Sequence, residues 1–102
     1  MLFGKPERRK KRPPDRVPAT EAEYVLRRDG ECVIAKLERE GVIPPGHQCS
    51  GRLTIEHLLR FAGRRVHGRR VMVAACLHAN VDGECSRWRD ELRDYVARVE
   101  PG

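Results

Sequence analysis

The clearest hydrophobic pattern lies near the C-terminal end. There Trp88, Leu92, Tyr95, Val96 and Val99 recur at i, i+4, i+7, i+8 and i+11, one face of a helix that follows Gly83. That stripe belongs to a core. Arg87, Arg89, Arg93 and Arg98 lie beside its members, as a solvated face or as a DNA-contacting one. Upstream, Arg52–His57 and Val71–Ala75 are short apolar runs that predict two strands. Between them, residues 60–70 carry six basic side chains and two glycines and predict a basic loop.

The N-terminal part is punctuated by capping and turn chemistry. Thr20-Glu21-Ala22-Glu23 fits a capping box, with Thr20 as N-cap and Glu23 reaching back, and the helix it opens should stop near Gly30. Cys32 to Glu40 is mixed and fits either a second helix or an irregular knuckle. Gly41 to Gly46, with Pro44-Pro45, is a loop. The predicted order is helix, cysteine-bearing knuckle, strand, basic loop, strand, a helix carrying Asn80, and a closing helix. No internal repeat is present.

Size sharpens this picture. The chain has 102 residues, enough for one α+β domain with a modest core, over residues 19–102. Hydrophobic residues make up 39% and aromatics only 5%, so the core is thin and a metal staple would support it. No apolar run approaches the roughly 20 residues that a membrane span needs. The opening Met1-Leu2-Phe3-Gly4 lacks the pattern of a signal peptide, and the expected location is cytoplasmic. Thiols stay reduced there, which makes Cys32, Cys49, Cys76 and Cys85 metal ligands or buried thiols rather than disulfides.

The net charge of +6 is unevenly spread. Residues 1–18 hold seven Lys/Arg against Glu7 and Asp15, whereas the rest of the chain is nearly balanced. The run containing Arg8, Arg9, Lys10, Lys11 and Arg12 is flanked by prolines and predicts a disordered basic arm that contacts phosphates in a salt-dependent way. A solubilising tail or a localisation-like run has the same composition.

The candidate chemistry centres on Glu56-His57, at the end of the first strand, and on Cys76-Leu77-His78-Ala79-Asn80, at the start of the next helix. Glu and Asn oxygens are hard ligands suited to Mg²⁺ or Mn²⁺, and a neutral His is a suitable general base. Phosphodiester cleavage needs that combination. Each part also has an ordinary reading. A Glu–His pair can be a solvated acid beside a packed imidazole, Asn80 before Val81-Asp82-Gly83 can be turn chemistry, and His67 can be a loop residue brushing phosphate. His47 sits in a Pro-Gly turn with little signal of its own.

With Glu56-His57, a second short strand, and a Cys followed four positions later by Asn, the chain resembles the ββα-metal fold of HNH (His-Me finger) endonucleases, the small phage-encoded ones in particular. The resemblance spans roughly residues 30–97, about two thirds of the chain. It implies His57 as the base that activates water, and Glu56 and Asn80 as ligands of one Mg²⁺ or Mn²⁺. It further implies DNA as the partner, gripped by the arm and by Arg64, Arg65, Arg69 and Arg70. A phage packaging (terminase) complex in a host cytoplasm, with the protein as monomer or homodimer, belongs to the same expectation. The sequence departs from the family at its middle Asn, which orients the catalytic His and falls here on Val71, leaving Arg70 or His67 to substitute.

The resemblance also implies a structural zinc built on Cys32, Cys49 and Cys76. Its expected fourth position is Ala79, which cannot bind metal, so His78 or Cys85 is left to complete a Cys₃His or Cys₄ site. Two other classes remain compatible with the sequence: a zinc-stapled nucleic-acid-binding module without turnover, and a small partner protein that uses the Trp88–Val99 helix as its interface.

Overall fold

The computed structural model describes residues 17–101. The basic residues Arg8, Arg9, Lys10, Lys11 and Arg12 lie outside the described residues. Helix α1 (Ala19–Asp29) starts two residues earlier than a Thr20 cap requires. Pro18 takes the flanking position, and its carbonyl accepts from the N–H groups of both Glu21 and Ala22 at 3.0 Å. The proline ring holds φ at −57°, already suited to helix entry, so Thr20 lies inside the helix and caps nothing. The helix stops as expected at Gly30, whose φ of 72° lets its N–H reach the Leu26 carbonyl.

The stretch that fitted either helix or knuckle is helix α2 (Val33–Arg39), which buries Val33, Ile34 and Leu37. Strand β1 (Leu53–His57) pairs antiparallel with β4 (Met72–Cys76), with Leu53 opposite Cys76, Glu56 opposite Val73 and His57 opposite Met72. All five residues of β4 are buried, which is why the run reads as continuously apolar. Its outer edge is closed by the end of α1. Asp29 Oδ2 accepts from the Ala74 N–H at 2.8 Å, and Arg28 Nη2 donates to the Met72 carbonyl at 2.8 Å. The edge of a two-stranded sheet is thereby satisfied by side chains instead of a third strand.

The basic loop is more ordered than its composition predicted. It contains a second, very short antiparallel pair, β2 (Arg60–Phe61) and β3 (Arg64–Arg65), and a 3-10 turn at Arg69–Val71. After β4 the chain enters helix α3 (Leu77–Val81), capped by Cys76, whose Sγ accepts from the Ala79 N–H. The helix predicted after Gly83 is split into α4 (Glu84–Arg87) and α5 (Arg89–Val99). The break falls on Trp88, which leaves helical geometry (φ −104°, ψ 29°) and packs against the core beside the buried Leu92, Tyr95 and Val96. Val99, the last member of the stripe, is exposed. The architecture is a small α+β domain, and among the described residues no helix is long and apolar enough to cross a membrane.

Candidate metal centre and adjoining cleft

Three separate segments deliver a cluster of soft donors. Cys32 caps α2, Cys76 caps α3, and His47 and Cys49 come from the loop after Pro44-Pro45-Gly46. The ligand atoms of these four residues all lie within 4.8 Å of one another, close enough to hold a metal ion. His47 Nε2 is 3.1 Å from Cys49 Sγ and 3.7 Å from the sulfurs of both Cys32 and Cys76. A tetrahedral zinc with bonds of about 2.3 Å to sulfur and about 2.0–2.1 Å to nitrogen needs S···N edges of about 3.5 Å. The observed edges bracket that length, so the set is compatible with structural zinc.

The surroundings support the same reading. His47 Nδ1 lies 2.6 Å from Glu84 Oε1, an arrangement that turns Nε2 and its lone pair toward the sulfurs. The loop is held by Glu38, whose Oε2 accepts from the backbone N–H groups of Gly46 and His47. The thiols are electrostatically unequal. Burial, reinforced by the neighbouring Cys32 and Cys76, pushes the Cys49 thiol up to about 12. Burial also works against ionisation at Cys76. Backbone hydrogen bonds from Ser50 and Ala79, joined by contacts from Cys32 and Cys49, outweigh it and hold that thiol below its ordinary range. Cys49 and Cys76 are thus pushed in opposite directions, and a cation among the sulfurs would change that balance.

The fourth donor is thus His47, not His78 or Cys85. His78 sits on the exposed side of α3 and pairs with Asp82 at 3.7 Å, with its ring centroid 6.4 Å from that of His47. Cys85 is a core residue, only 1% exposed, and burial raises its thiol well above the usual range. The sequence signal for His47 was its position two residues before Cys49, in a loop that prolines and Gly46 bend back toward α2. The signal for Glu84 was absent, because only the fold brings α4 to that loop.

A second site lies at the other end of the β1–β4 pair. Glu56, His57 and Asn80 line one small cleft of about 100 Å³, together with Ile55, Arg60 and Arg65. Asn80 reaches it from α3. Its amide nitrogen donates to Thr54 Oγ1 at 2.9 Å and to the Ile55 carbonyl at 3.3 Å, which commits the nitrogen to β1 and leaves the oxygen as the atom Asn80 can offer a cation. Burial pushes the Glu56 carboxyl above the usual range, while Arg89, Arg60 and Arg65 pull it back. A partly desolvated carboxylate ringed by arginines suits a ligand carrying both a cation and an anion. His57 is buried, and its Nε2 lies 3.0 Å from His67 Nδ1, with the two rings edge to face. Of the two residues left to orient His57, the structure therefore brings His67 to it.

The four arginines of the basic loop that follow Gly63 divide by environment. Arg65 lines the cleft, and Arg64 stands beside it on β3. Arg69 is engaged elsewhere: it forms an ion pair with Glu21 at 3.0 Å, and its guanidinium lies 3.7 Å from the Tyr24 ring centroid. It anchors the loop to α1. Arg70 is exposed and carries no such ties among the described residues. On α5, Arg93 donates to the Leu58 carbonyl at 2.9 Å and Arg98 pairs with Glu40 at 3.6 Å, so this row is not merely solvated. No family model, curated protein or solved structure matches the chain.

Proposed function

We propose that this protein is a metal-dependent endonuclease of the HNH type, a ββα-metal fold stapled by zinc, that hydrolyses DNA phosphodiester bonds. The observation that carries this reading is the convergence of Glu56, His57 and Asn80, from β1 and α3, in one cleft rimmed by Arg60 and Arg65. Glu56 and Asn80 supply two oxygen ligands and would hold one Mg²⁺ or Mn²⁺, with open positions for water and phosphate. Bound there, the cation would supply Lewis-acid stabilisation of charge on the phosphate.

The remaining work falls to the chain itself. His57 is the general base that takes a proton from the attacking water, and His67 holds its ring at Nε2. His67 would thereby do the orienting job of the family's middle Asn, whose position here is Val71. Arg60 and Arg65 draw the scissile phosphate into the cleft, and Arg64 and Arg70, with the basic arm, hold the flanking backbone without reading sequence.

The test is nicking of supercoiled plasmid by wild type and His57→Ala, each with Mg²⁺, with Mn²⁺ and with the divalent cation chelated. Metal-dependent nicking that disappears in the variant is the expected result. If folded, zinc-loaded wild type binds the plasmid but nicks it with neither metal, the chain is a zinc-stapled nucleic-acid-binding module instead.

A further inference from the structure

Phe61 is 77% exposed, at the tip of the β2–β3 hairpin, and contributes nothing to the core. The hairpin is itself unusual. Each strand has two residues, and the register places Arg60 directly opposite Arg65 and Phe61 opposite Arg64. Two like charges facing each other across a strand pair are unfavourable, and an isolated two-stranded hairpin is marginal to begin with. The turn adds strain. Ala62 and Gly63 both sit at positive φ (54° and 78°), a turn geometry that favours Asn-Gly and is costly for alanine.

Folding therefore gains little from this hairpin, which nevertheless leaves the Phe61 ring exposed beside Arg60, Arg64 and Arg65. Its base is joined to the cleft, because Arg60 and Arg65 line both. The Val66 N–H continues the ladder to the Leu59 carbonyl at 3.0 Å, two residues beyond His57. A ligand that brings phosphates to a cluster of arginines and also offers a flat apolar face to Phe61 would match what the hairpin presents. An unstacked nucleobase on its phosphate backbone has both properties.

We propose that the Arg60–Arg65 hairpin is a base-stacking wedge: Phe61 stacks on an unpaired base while Arg60, Arg64 and Arg65 hold the adjacent phosphates. This deepens the nuclease reading and rests on it for the nucleic-acid partner. It assigns the preferred substrate to DNA that presents an unstacked base beside the cut, such as a single strand, a bulge or a branch, over a continuous duplex.

The test uses the full chain without added Mg²⁺ or Mn²⁺, so that nothing is cut. The probe is a short single-stranded oligodeoxynucleotide with a central 2-aminopurine, compared with the same sequence fully paired. Binding of the single strand should perturb the 2-aminopurine fluorescence. Phe61→Ala should weaken single-strand binding by about 5- to 100-fold, the usual range for losing one stacked base, and leave duplex binding close to wild type. Phe61→Trp should keep the preference. Phe61→Leu, which retains apolar area without a π face, should lose it. Arg60→Ala should weaken both substrates and flatten the salt dependence.

Wild-type affinity in Phe61→Ala, or full retention in Phe61→Leu, overturns the wedge. So does a Phe61→Ala effect confined to self-association in sedimentation, which would make the tip a protein contact. Because binding is read without turnover, a chain that stacks bases but, with Mg²⁺ or Mn²⁺ added, cuts neither plasmid nor single-stranded or branched DNA refutes the nuclease alone. A nicking chain indifferent to Phe61 refutes the wedge alone.

Discussion

His47 and Glu84 are joined side chain to side chain, Nδ1 to Oε1 at 2.6 Å, across 37 positions of sequence. The contact fixes which imidazole nitrogen faces Cys32, Cys49 and Cys76. A carboxylate behind a ligating histidine raises its basicity and locks its orientation, and losing such a partner costs about 10–100-fold in metal affinity. Glu84→Ala should therefore bind zinc about 10–100-fold more weakly in competition with a chromogenic chelator, with Glu84→Gln between the two. Unchanged affinity in Glu84→Ala would reduce the contact to a helix tether.

Metal content separates the observed ligand set from the one expected at sequence level. Elemental analysis of purified protein should find one zinc per chain in wild type, His78→Ala and Cys85→Ala, and little in His47→Ala, Cys32→Ala and Cys76→Ala. Chelating the ion should lower the melting temperature of wild type, because a preformed cluster absent from the unfolded chain turns binding energy into folding energy. Retention of zinc by His47→Ala with loss in His78→Ala would reverse the assignment.

The cleft makes a graded prediction for plasmid nicking. Removing a general base costs about 10²–10⁴-fold in rate, and His57→Ala should fall in that range. His67→Ala leaves the base present but unsupported at Nε2, and should lose up to about 100-fold through misplacement while DNA affinity holds. A shift in the pH profile of the residual His67→Ala activity would mark His67 as a positioning residue, whereas a uniform loss with altered melting would mark it as a packing one.

Asp29 is the polar centre of the fold. It is 2% exposed and accepts from Arg28, from the Ala74 N–H and from the Tyr95 hydroxyl at 2.8 Å. Asp29→Ala takes from Arg28, whose side chain is nearly as buried, its shorter carboxylate contact and leaves it only Glu100 at 3.4 Å. Breaking a buried pair in this way costs about 3–5 kcal/mol, readable as a lowered urea midpoint in zinc-loaded protein. Asp29→Asn, which keeps an oxygen acceptor, should lose less.

Tyr95 yields the pH dependence. Burial, and then its bond to Asp29, raise its phenol well above the ordinary value of 10.0. The unfolded chain gives up this proton near the ordinary value and the folded one does not. The stability tied to Tyr95 is therefore complete below that pH and declines as pH rises through it. Alkaline titration should show a step in phenolate absorbance that coincides with loss of helical circular dichroism. Tyr95→Phe should remove that step and soften the alkaline loss of stability. A Tyr95 signal that rises while the helices remain intact would contradict the burial.

Strands β1 and β4 and the Gly30 stop were legible because each depends on local pattern: a run of apolar residues for β4, and a left-handed glycine for the end of α1. The cap of α1 was misread because Thr20 and Pro18 both carry entry signals, and the rigid proline won. The split at Trp88 was hidden because an i, i+4 spacing survives one non-helical residue, and only packing shows where the indole goes. For the metal cluster, three cysteines were visible by residue type. His47 was passed over although Cys49 lies two positions on, because its other partners in space are 15 and 29 positions away in the chain. Asp29 gave no sign at all, since a buried acid at the end of a charged helix looks like any exposed one until α5 and β4 enclose it.

The donor cluster also sets an order of events for a chain leaving the ribosome. Cys32 emerges 44 positions before Cys76, and joining the ends of a loop of that length costs about 3 kcal/mol. His47 and Cys49 offer an earlier, incomplete set with Cys32, open on one side and without Glu84 behind it. Cys76 is the last residue of β4 and lies opposite Leu53 of β1, so an ion held by all four donors would also tie down the far end of that strand pair. Such an ion would close the loop between α2 and α3 and the β1–β4 pairing in one step.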